Sequence, residues 1–297
     1  MPSSDQEALI NPNRPLQDYY GSLESRIGYR LVLGGTRHFG YYDRDTYWPF
    51  PIGKALRAME DHLFDSLGLE SGAKVLDAGC GIGHVAIHMA RRGLRVQGID
   101  VVDRHLQRAQ RNIKAYGLED RATVRKMDYH HLDGFDDESF DGVYTMETFV
   151  HATDPAAAAG EFFRVLKPGG SLVLHEYDHV DLNAVPDKMV VYGKELNKYA
   201  AMPALEQFGP GALQRILEDV GFQDVVVKDY TINVTPMLRL FFVMAFIPYL
   251  FIRLLGLESW FVNTVSGALA YRQRHFGRYI AVSARKPSAG GDVVNTQ

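Results

Sequence analysis

Residues 74 to 83, Lys-Val-Leu-Asp-Ala-Gly-Cys-Gly-Ile-Gly, place a short apolar strand ending in an acid directly before three alternating glycines. Gly79, Gly81 and Gly83 have no Cβ, so the backbone can turn sharply there and let a ligand approach closely. A helix opening at His84 aims its unpaired N–H groups into the same space. Glycine-rich strand-to-helix turns hold NAD, FAD and S-adenosylmethionine alike, so the loop by itself leaves all three open.

The following elements narrow the choice. His84 to Arg92 has helical spacing, and Leu94 to Ile99 reads as a second strand with Asp100 at its tip, 17 residues beyond Gly83. A carboxylate there can accept hydrogen bonds from both hydroxyls of a ribose, an interaction worth roughly 1.5–3 kcal/mol. Ala122 to Met127 forms a third strand ending in Asp128, placed to bond an adenine amino group, and Phe140 to Thr145 forms a fourth. Lys167-Pro-Gly-Gly170 then turns into a fifth strand, Ser171 to Glu176. Strands alternating with helices at this spacing predict an α/β, doubly wound Rossmann-like sheet with its ligand at the carboxyl ends of the strands.

Four elements in this order resemble the class I S-adenosylmethionine-dependent methyltransferases: Val75-Leu-Asp-Ala-Gly-Cys-Gly-Ile-Gly83, the acid Asp100, the pair Met127-Asp128, and Arg164-Val-Leu-Lys-Pro-Gly-Gly170. They span about residues 70 to 180, and Arg278 to Arg285 resembles the family's last strand. The resemblance implies a seven-stranded sheet with that strand antiparallel, helical cap insertions, and S-adenosyl-L-methionine as cofactor. It implies a cofactor site built from Asp77, Gly79, Gly81, Gly83, Asp100, Val101, Asp128, Tyr129 and Glu147. His38-Phe-Gly-Tyr-Tyr-Asp43 is similar to the segment before the core in sterol, tocopherol and natural-product small-molecule methyltransferases. The aromatic glycine-tryptophan segment of sterol C24-methyltransferases is not reproduced here, which argues against a sterol acceptor.

The remaining segments bear on the substrate. Residues 1–70 form an aromatic-rich helical cap (Tyr19, Tyr20, Tyr29, Phe39, Tyr41, Tyr42, Tyr47, Trp48, Phe50) that ends in an amphipathic helix from Ile52 to Leu67. Residues 71–180 and 210–230 are core, 181–209 a cap insertion, 231–275 a hydrophobic lid insertion, and 276–297 the last strand and a tail. Tyr41 and Tyr42 from the cap, with Glu176 and His179 at the end of the fifth strand, are the expected substrate contacts. Within the lid, Leu240 to Ile252 has no charge between Arg239 and Arg253. At 1.5 Å per residue it covers about 20 Å, too short for a hydrocarbon core of roughly 30 Å, and Pro248 interrupts it. A helix buried against the cap, an apolar pocket wall and a segment lying in a membrane interface all remain open. The pocket wall predicts a lipophilic substrate.

Methyl transfer from a sulfonium is an in-line displacement, so orientation supplies most of the catalysis, and a base is needed only where the nucleophile must lose a proton. His151, in Thr145-Met-Glu-Thr-Phe-Val-His-Ala-Thr-Asp154, is the candidate, similar to the Glu-Ser-x-x-His-x-x-Asp segment of small-molecule methyltransferases. O-methylation of a hydrophobic small molecule in specialised metabolism is the favoured reading. C- or N-methylation of a terpenoid, sterol or hydrophobic peptide, or a non-catalytic regulator that keeps the cofactor, are the alternatives. No metal is expected: His175-Glu-Tyr-Asp-His179 matches a zinc motif that requires a helix, whereas it continues a strand here. A net charge of −4 without a basic tract excludes nucleic acid as main partner. The single cysteine, Cys80, and a polar start, Met1 to Glu7, without secretory pattern fit a cytoplasmic protein, with peripheral membrane contact through residues 240–252 as one of the three placements above.

Overall fold

The computed structural model describes residues 14–22, 24 and 32–288; Tyr29, the start of the chain and the tail beyond residue 288 lie outside the described residues. In chain order the elements are α1 (Arg14–Gly21), α2 (Ile52–Leu67), β1 (Lys74–Ala78), α3 (His84–Arg91), β2 (Arg95–Asp100), α4 (Asp103–Ala115), β3 (Ala122–Lys126) and β4 (Phe140–Met146). They continue as α5 (Pro155–Val165), β5 (Leu166–His179), α6 (Asp187–Tyr199), α7 (Ala212–Val220), β6 (Gln223–Asp229), α8 (Thr231–Leu255), α9 (Val262–Gln273) and β7 (Gly277–Arg285).

The strands form one sheet in the order β3-β2-β1-β4-β5-β7-β6, and β7 runs antiparallel to both of its neighbours. The chain winds outward from β1 to β3, then returns to the other side of β1 at β4, so a crevice opens where β1 and β4 part. Helices cover both faces, which is why Val75 to Ala78 are all buried. Successive strand residues enter opposite layers: Val75 and Val173 pack with Met59, Leu63 and Met89, while Leu76 and Leu174 pack with Phe140, Phe149, Phe162, Phe208 and Leu217. α2 turns Ala55, Leu56, Met59, Leu63 and Leu67 inward and stops at Gly68, whose φ of 62° suits a residue without Cβ. α5 starts where the Asp154 carboxylate accepts the Ala157 N–H at 3.0 Å and Pro155 fills the first turn.

Several boundaries differ from the sequence expectation: β2 runs one residue later, to Asp100, and β4 one residue further, to Met146. β5 begins at Leu166, not Ser171: the expected turn at 167–170 is a register irregularity inside the strand, with Gly169 at φ 77° and its N–H donated to the Lys286 carbonyl at 2.9 Å. β3 stops at Lys126, short of Met127. The largest difference is α8, where residues 240–252 lie inside a continuous 25-residue helix that contains both Pro236 and Pro248 and is long and apolar enough to cross a membrane by length and composition. Neither Pro248 nor the flanking arginines end it, because α9 packs along it closely enough that a Cβ on Gly267 would stand 3.2 Å from that of Ala245. That packing offsets the backbone bonds the prolines remove. His175 and His179 sit on β5, about 13 Å apart along a strand and not on one turn of helix.

Phe162 is fully buried on α5 beside Phe149 and Tyr129, and Tyr129 lines the crevice. Phe162→Ala should cost about 3–5 kcal/mol, read as a lower urea midpoint at unchanged slope.

Candidate active site

The crevice at the ends of β1, β2 and β4 is a cleft walled by Asp77, Gly79, Gly81, Asp100, Val101, Met127, Tyr129, Glu147 and His151 among others. Its floor is the glycine turn. Gly79 and Cys80 donate their N–H groups to the Ile99 carbonyl at 2.9 and 2.8 Å, which fastens the turn to β2. Gly79 has φ 98°, and a Cβ there would stand 2.6 Å from Thr148 Oγ1. Gly81 is the opposite case: at φ 53° its Cβ would meet nothing within 4 Å, so the backbone is laid bare to the cleft.

Asp100, at the tip of β2, accepts the Gly81 N–H at 2.9 Å and the Val102 N–H at 2.8 Å and faces His105 Nδ1 at 3.2 Å. Burial alone would raise its pKa, but His105 and these N–H groups take it below the usual carboxylate value. Burial pushes the Asp77 carboxyl up to about 7. Asp77 Oδ2 and His105 Nε2 are buried without a hydrogen-bond partner, and both residues line the cleft. An open glycine backbone, an ionised acid at the second strand and unanswered polar atoms between them fit a polar, amino-acid-bearing nucleoside.

Tyr129 donates its hydroxyl to the Thr148 carbonyl at 3.0 Å. Glu147 holds a positive φ of 57°, unusual for a residue with a side chain, and accepts the Phe39 N–H at 2.6 Å, the Tyr279 hydroxyl at 2.9 Å and the Tyr177 hydroxyl. Burial raises its pKa, against the charge of His38.

His151 ends a short turn after β4. Its Nδ1 lies 2.7 Å from the Ala201 carbonyl, which can only accept, so Nδ1 carries the proton and Nε2 accepts the Tyr20 hydroxyl at 2.9 Å. Burial holds its pKa below the usual value, so the ring is neutral. His38 has the opposite setting. Its two nitrogens face two acceptors, the Phe39 carbonyl at 2.9 Å and Glu60 Oε1 at 3.1 Å. Burial opposes its charge, yet the Glu60 and Glu147 carboxyls raise the pKa, and the two acceptors at its nitrogens favour the doubly protonated ring.

Several expected site residues stand elsewhere. Gly83 caps α3 and approaches Ala109, outside the cleft wall. Asp128 turns to His130, accepting its backbone N–H at 2.9 Å, and also lies outside that wall. Tyr41 packs its ring 3.9 Å from His62, and Tyr42 donates its hydroxyl to the Pro49 carbonyl at 3.0 Å, and neither lies in the cleft wall. His179, the last residue of β5, bonds the Val180 carbonyl at 2.7 Å and lies outside the cleft wall. Glu176 is fully buried and reaches no cleft surface, because its Oε1 accepts the Thr148 N–H at 2.7 Å, the Phe149 N–H at 2.5 Å and the Thr145 hydroxyl at 3.3 Å.

Tyr20, Arg37, His38 and His105 also line the cleft, beyond the site residues expected from the sequence. His38 had a signal in the pre-core segment, and His105 had one in the first turn after the strand-tip acid. Tyr20 and Arg37 had none, since Tyr20 meets His151 across 131 positions of sequence.

Asp100→Ala should weaken S-adenosyl-L-methionine binding by roughly ten- to a hundredfold in calorimetry, at an unchanged fold. Burial pushes the Glu176 carboxyl from 4.5 to about 8, so unfolding between those pH values releases a proton and the wild type loses stability as pH rises across that window. Glu176→Gln keeps the accepting oxygen and should gain stability relative to wild type over the same window, measured by denaturant titration at each pH.

A family model described as a methyltransferase domain matches residues 76–174. Over 279 residues the chain is 41% identical to the S-adenosyl-L-methionine-dependent Diels-Alderase iccD of Talaromyces variabilis, covering 92% of this chain and 95% of that protein. It is 44% identical over 220 residues to the S-adenosyl-L-methionine-dependent Diels-Alderase iliD of Neonectria sp. (strain DH2), covering 73% and 85%. The crystal structure of the 4+2 cyclase SpnF shares the fold, with a TM-score of 0.75 at 23% identity over 95% of this chain and 98% of that one. The chain belongs to the class I S-adenosyl-L-methionine-dependent methyltransferase family.

Proposed function

We propose that this protein keeps S-adenosyl-L-methionine as a resident cofactor and catalyses a 4+2 cycloaddition within a hydrophobic polyene, the reaction class named for its relatives from Talaromyces and Neonectria. The observation that carries the reading is the state of His151. The base that an O-methylation would use has both ring nitrogens engaged, one by the Ala201 carbonyl and one by the Tyr20 hydroxyl. A cycloaddition moves no proton. The diene and the alkene exchange their π electrons for two carbon–carbon σ bonds and one relocated π bond, with nothing abstracted and nothing released.

In this reading Asp77, Gly79 and Gly81 hold the aminoacyl end of the cofactor, Asp100 its ribose, and Met127 with Tyr129 its adenine. When bound, the cofactor supplies a sulfonium cation, which serves as a fixed positive charge or as a methyl donor. The chain itself contributes shape and polarisation. Closing diene and alkene into contact supplies the larger effect, as orientation does in other intramolecular reactions. Tyr20 is the hydroxyl that would turn to a carbonyl conjugated with the reacting alkene and withdraw electron density from it. Arg37, its Cζ 4.7 Å from the Tyr20 ring, adds positive potential at the same wall. Preorganised groups of this kind act strongly where water is excluded.

Methyl transfer to oxygen is the second reading, favoured by one feature: His151 is neutral, so rotation of Tyr20 would free Nε2 as a base. Methyl-labelled cofactor and a lipophilic extract of the source cells separate the two. The expected result is a compound that changes retention at constant mass, while the cofactor is needed but not consumed. Label entering the product, with release of S-adenosylhomocysteine in equal amount, would replace cycloaddition by methylation.

A further inference from the structure

The outer face of α8 has the reverse of a soluble helix's pattern. Val243, Met244, Ile247, Pro248, Leu250, Phe251, Leu254 and Leu255 recur every three or four residues on its last turns, and all are exposed, Leu254 to 81%. Trp260, exposed to 75%, and Phe261 extend the patch beyond the helix end. The inner face is ordinary core: Tyr249 and Ile252 pack with Val265, Ala268 and Leu269 of α9. Contiguous apolar surface of this kind on a soluble chain marks an interaction site.

Charge stands at both ends of the exposed run, with Arg239 and Arg274 at the Tyr271 ring near its start and Arg253 on Tyr249 near its end. Residues 231–275 hold four arginines (Arg239, Arg253, Arg272, Arg274) and one glutamate (Glu258), a net +3 on a chain whose total is −4. Among the described residues none of these arginines forms an ion pair with an acid. Arg253 instead donates to the Tyr249 hydroxyl at 3.2 Å and Arg274 to the Tyr271 carbonyl at 2.7 Å. A basic, aromatic-edged apolar face on an otherwise acidic protein is complementary to anionic lipid, whereas a second copy of the chain would bring the same positive charge against it.

We propose that α8 docks this protein on an anionic membrane surface, lying in the interface without crossing it. A crossing is excluded by the start of the helix. Asn233, Val234, Pro236, Met237 and Leu238 are buried in the protein, with Asn233 Nδ2 donating to the Tyr42 carbonyl at 2.7 Å, so about the first third of the helix is committed to the core. The exposed run is about 20 Å long, enough to seat a face and too short for a bilayer of roughly 30 Å. Met237 and Phe241 continue from this surface into the cluster formed by Leu33, Tyr42 and Leu56 under the cap segment, which carries the cleft residue His38 one position from Phe39. The docked face therefore adjoins the cap over the cleft. This inference is independent of which reaction the cleft performs.

The test is co-sedimentation of the full chain with phosphatidylcholine vesicles, with and without phosphatidylserine, at moderate salt. The expected result is binding that strengthens with phosphatidylserine and weakens as salt is raised. The double variant Phe251→Asp, Leu254→Asp should lower vesicle affinity by roughly tenfold or more. It should leave cofactor affinity unchanged, which verifies folding. The single variant Arg253→Gln should lose part of the phosphatidylserine preference. Failure of the folded wild type to sediment with either vesicle would overturn the proposal. So would a stable dimer by light scattering that the same double variant dissociates, since the face would then belong to a second copy.

Discussion

A buried carboxyl holds the loop against which both walls of the cleft are built. Glu176 collects the N–H groups of Thr148 and Phe149 and the hydroxyl of Thr145 on one oxygen, in a place no solvent reaches. The loop so fixed presents Thr148 to Gly79 on one side and His151 to Tyr20 on the other. Thr148 also donates its hydroxyl to the Ala78 carbonyl at 2.7 Å, so the end of β1, the glycine turn and the loop after β4 move as one piece. A second layer backs them: Phe149 stacks on Phe208 at 5.9 Å, tying the loop to the insertion that supplies the Ala201 carbonyl. Loss of one acceptor would leave several donors unsatisfied together, which is costlier than any single bond.

The same loop carries an uneven distribution of charge. On the cap side the Glu60 and Glu147 carboxyls raise the pKa of His38, while across the cleft His151 stays neutral and Asp100 stays ionised. Each state follows from which atoms face the ring or carboxyl. Two acceptors favour the doubly protonated ring at His38, whereas one acceptor and one hydroxyl leave His151 with a single proton. The cleft thus offers a hydroxyl beside the Arg37 guanidinium, and its imidazole lone pair is already taken. That arrangement suits polarisation of a neutral substrate better than removal of a proton.

The fold and the floor of the cleft were legible because they rest on local rules. The apolar run before Asp77, the alternation of strands with helices and the strand-tip acid at Asp100 are each set by nearest neighbours in sequence, and β1 to β5 lie in the order those rules imply. The roof was not legible. Tyr20 reaches His151, and Tyr279 reaches Glu147, across more than a hundred residues, and nothing in their neighbours distinguishes them from aromatics that pack in the core. Glu176 misled for a related reason: an acid at a strand end reads as a ligand contact, yet the strand continues to His179 and carries it under the loop. The apolar run at 240–252 was bounded by its arginines, but Arg239 sits within the helix and stacks over Tyr47 with its Cζ 4.0 Å from the ring, so it ends nothing.

The state of the His151 ring is the point on which the chemistry turns, and nitrogen NMR of the labelled ring reads it directly. A neutral imidazole with the proton held on Nδ1, at and below the pH of about 6.5 where a free histidine would be half charged, is the result this account predicts. A ring that takes up a second proton near that pH would contradict it and return His151 to the role of a free base, and a proton on Nε2 would contradict the hydrogen bonds drawn to Ala201 and Tyr20.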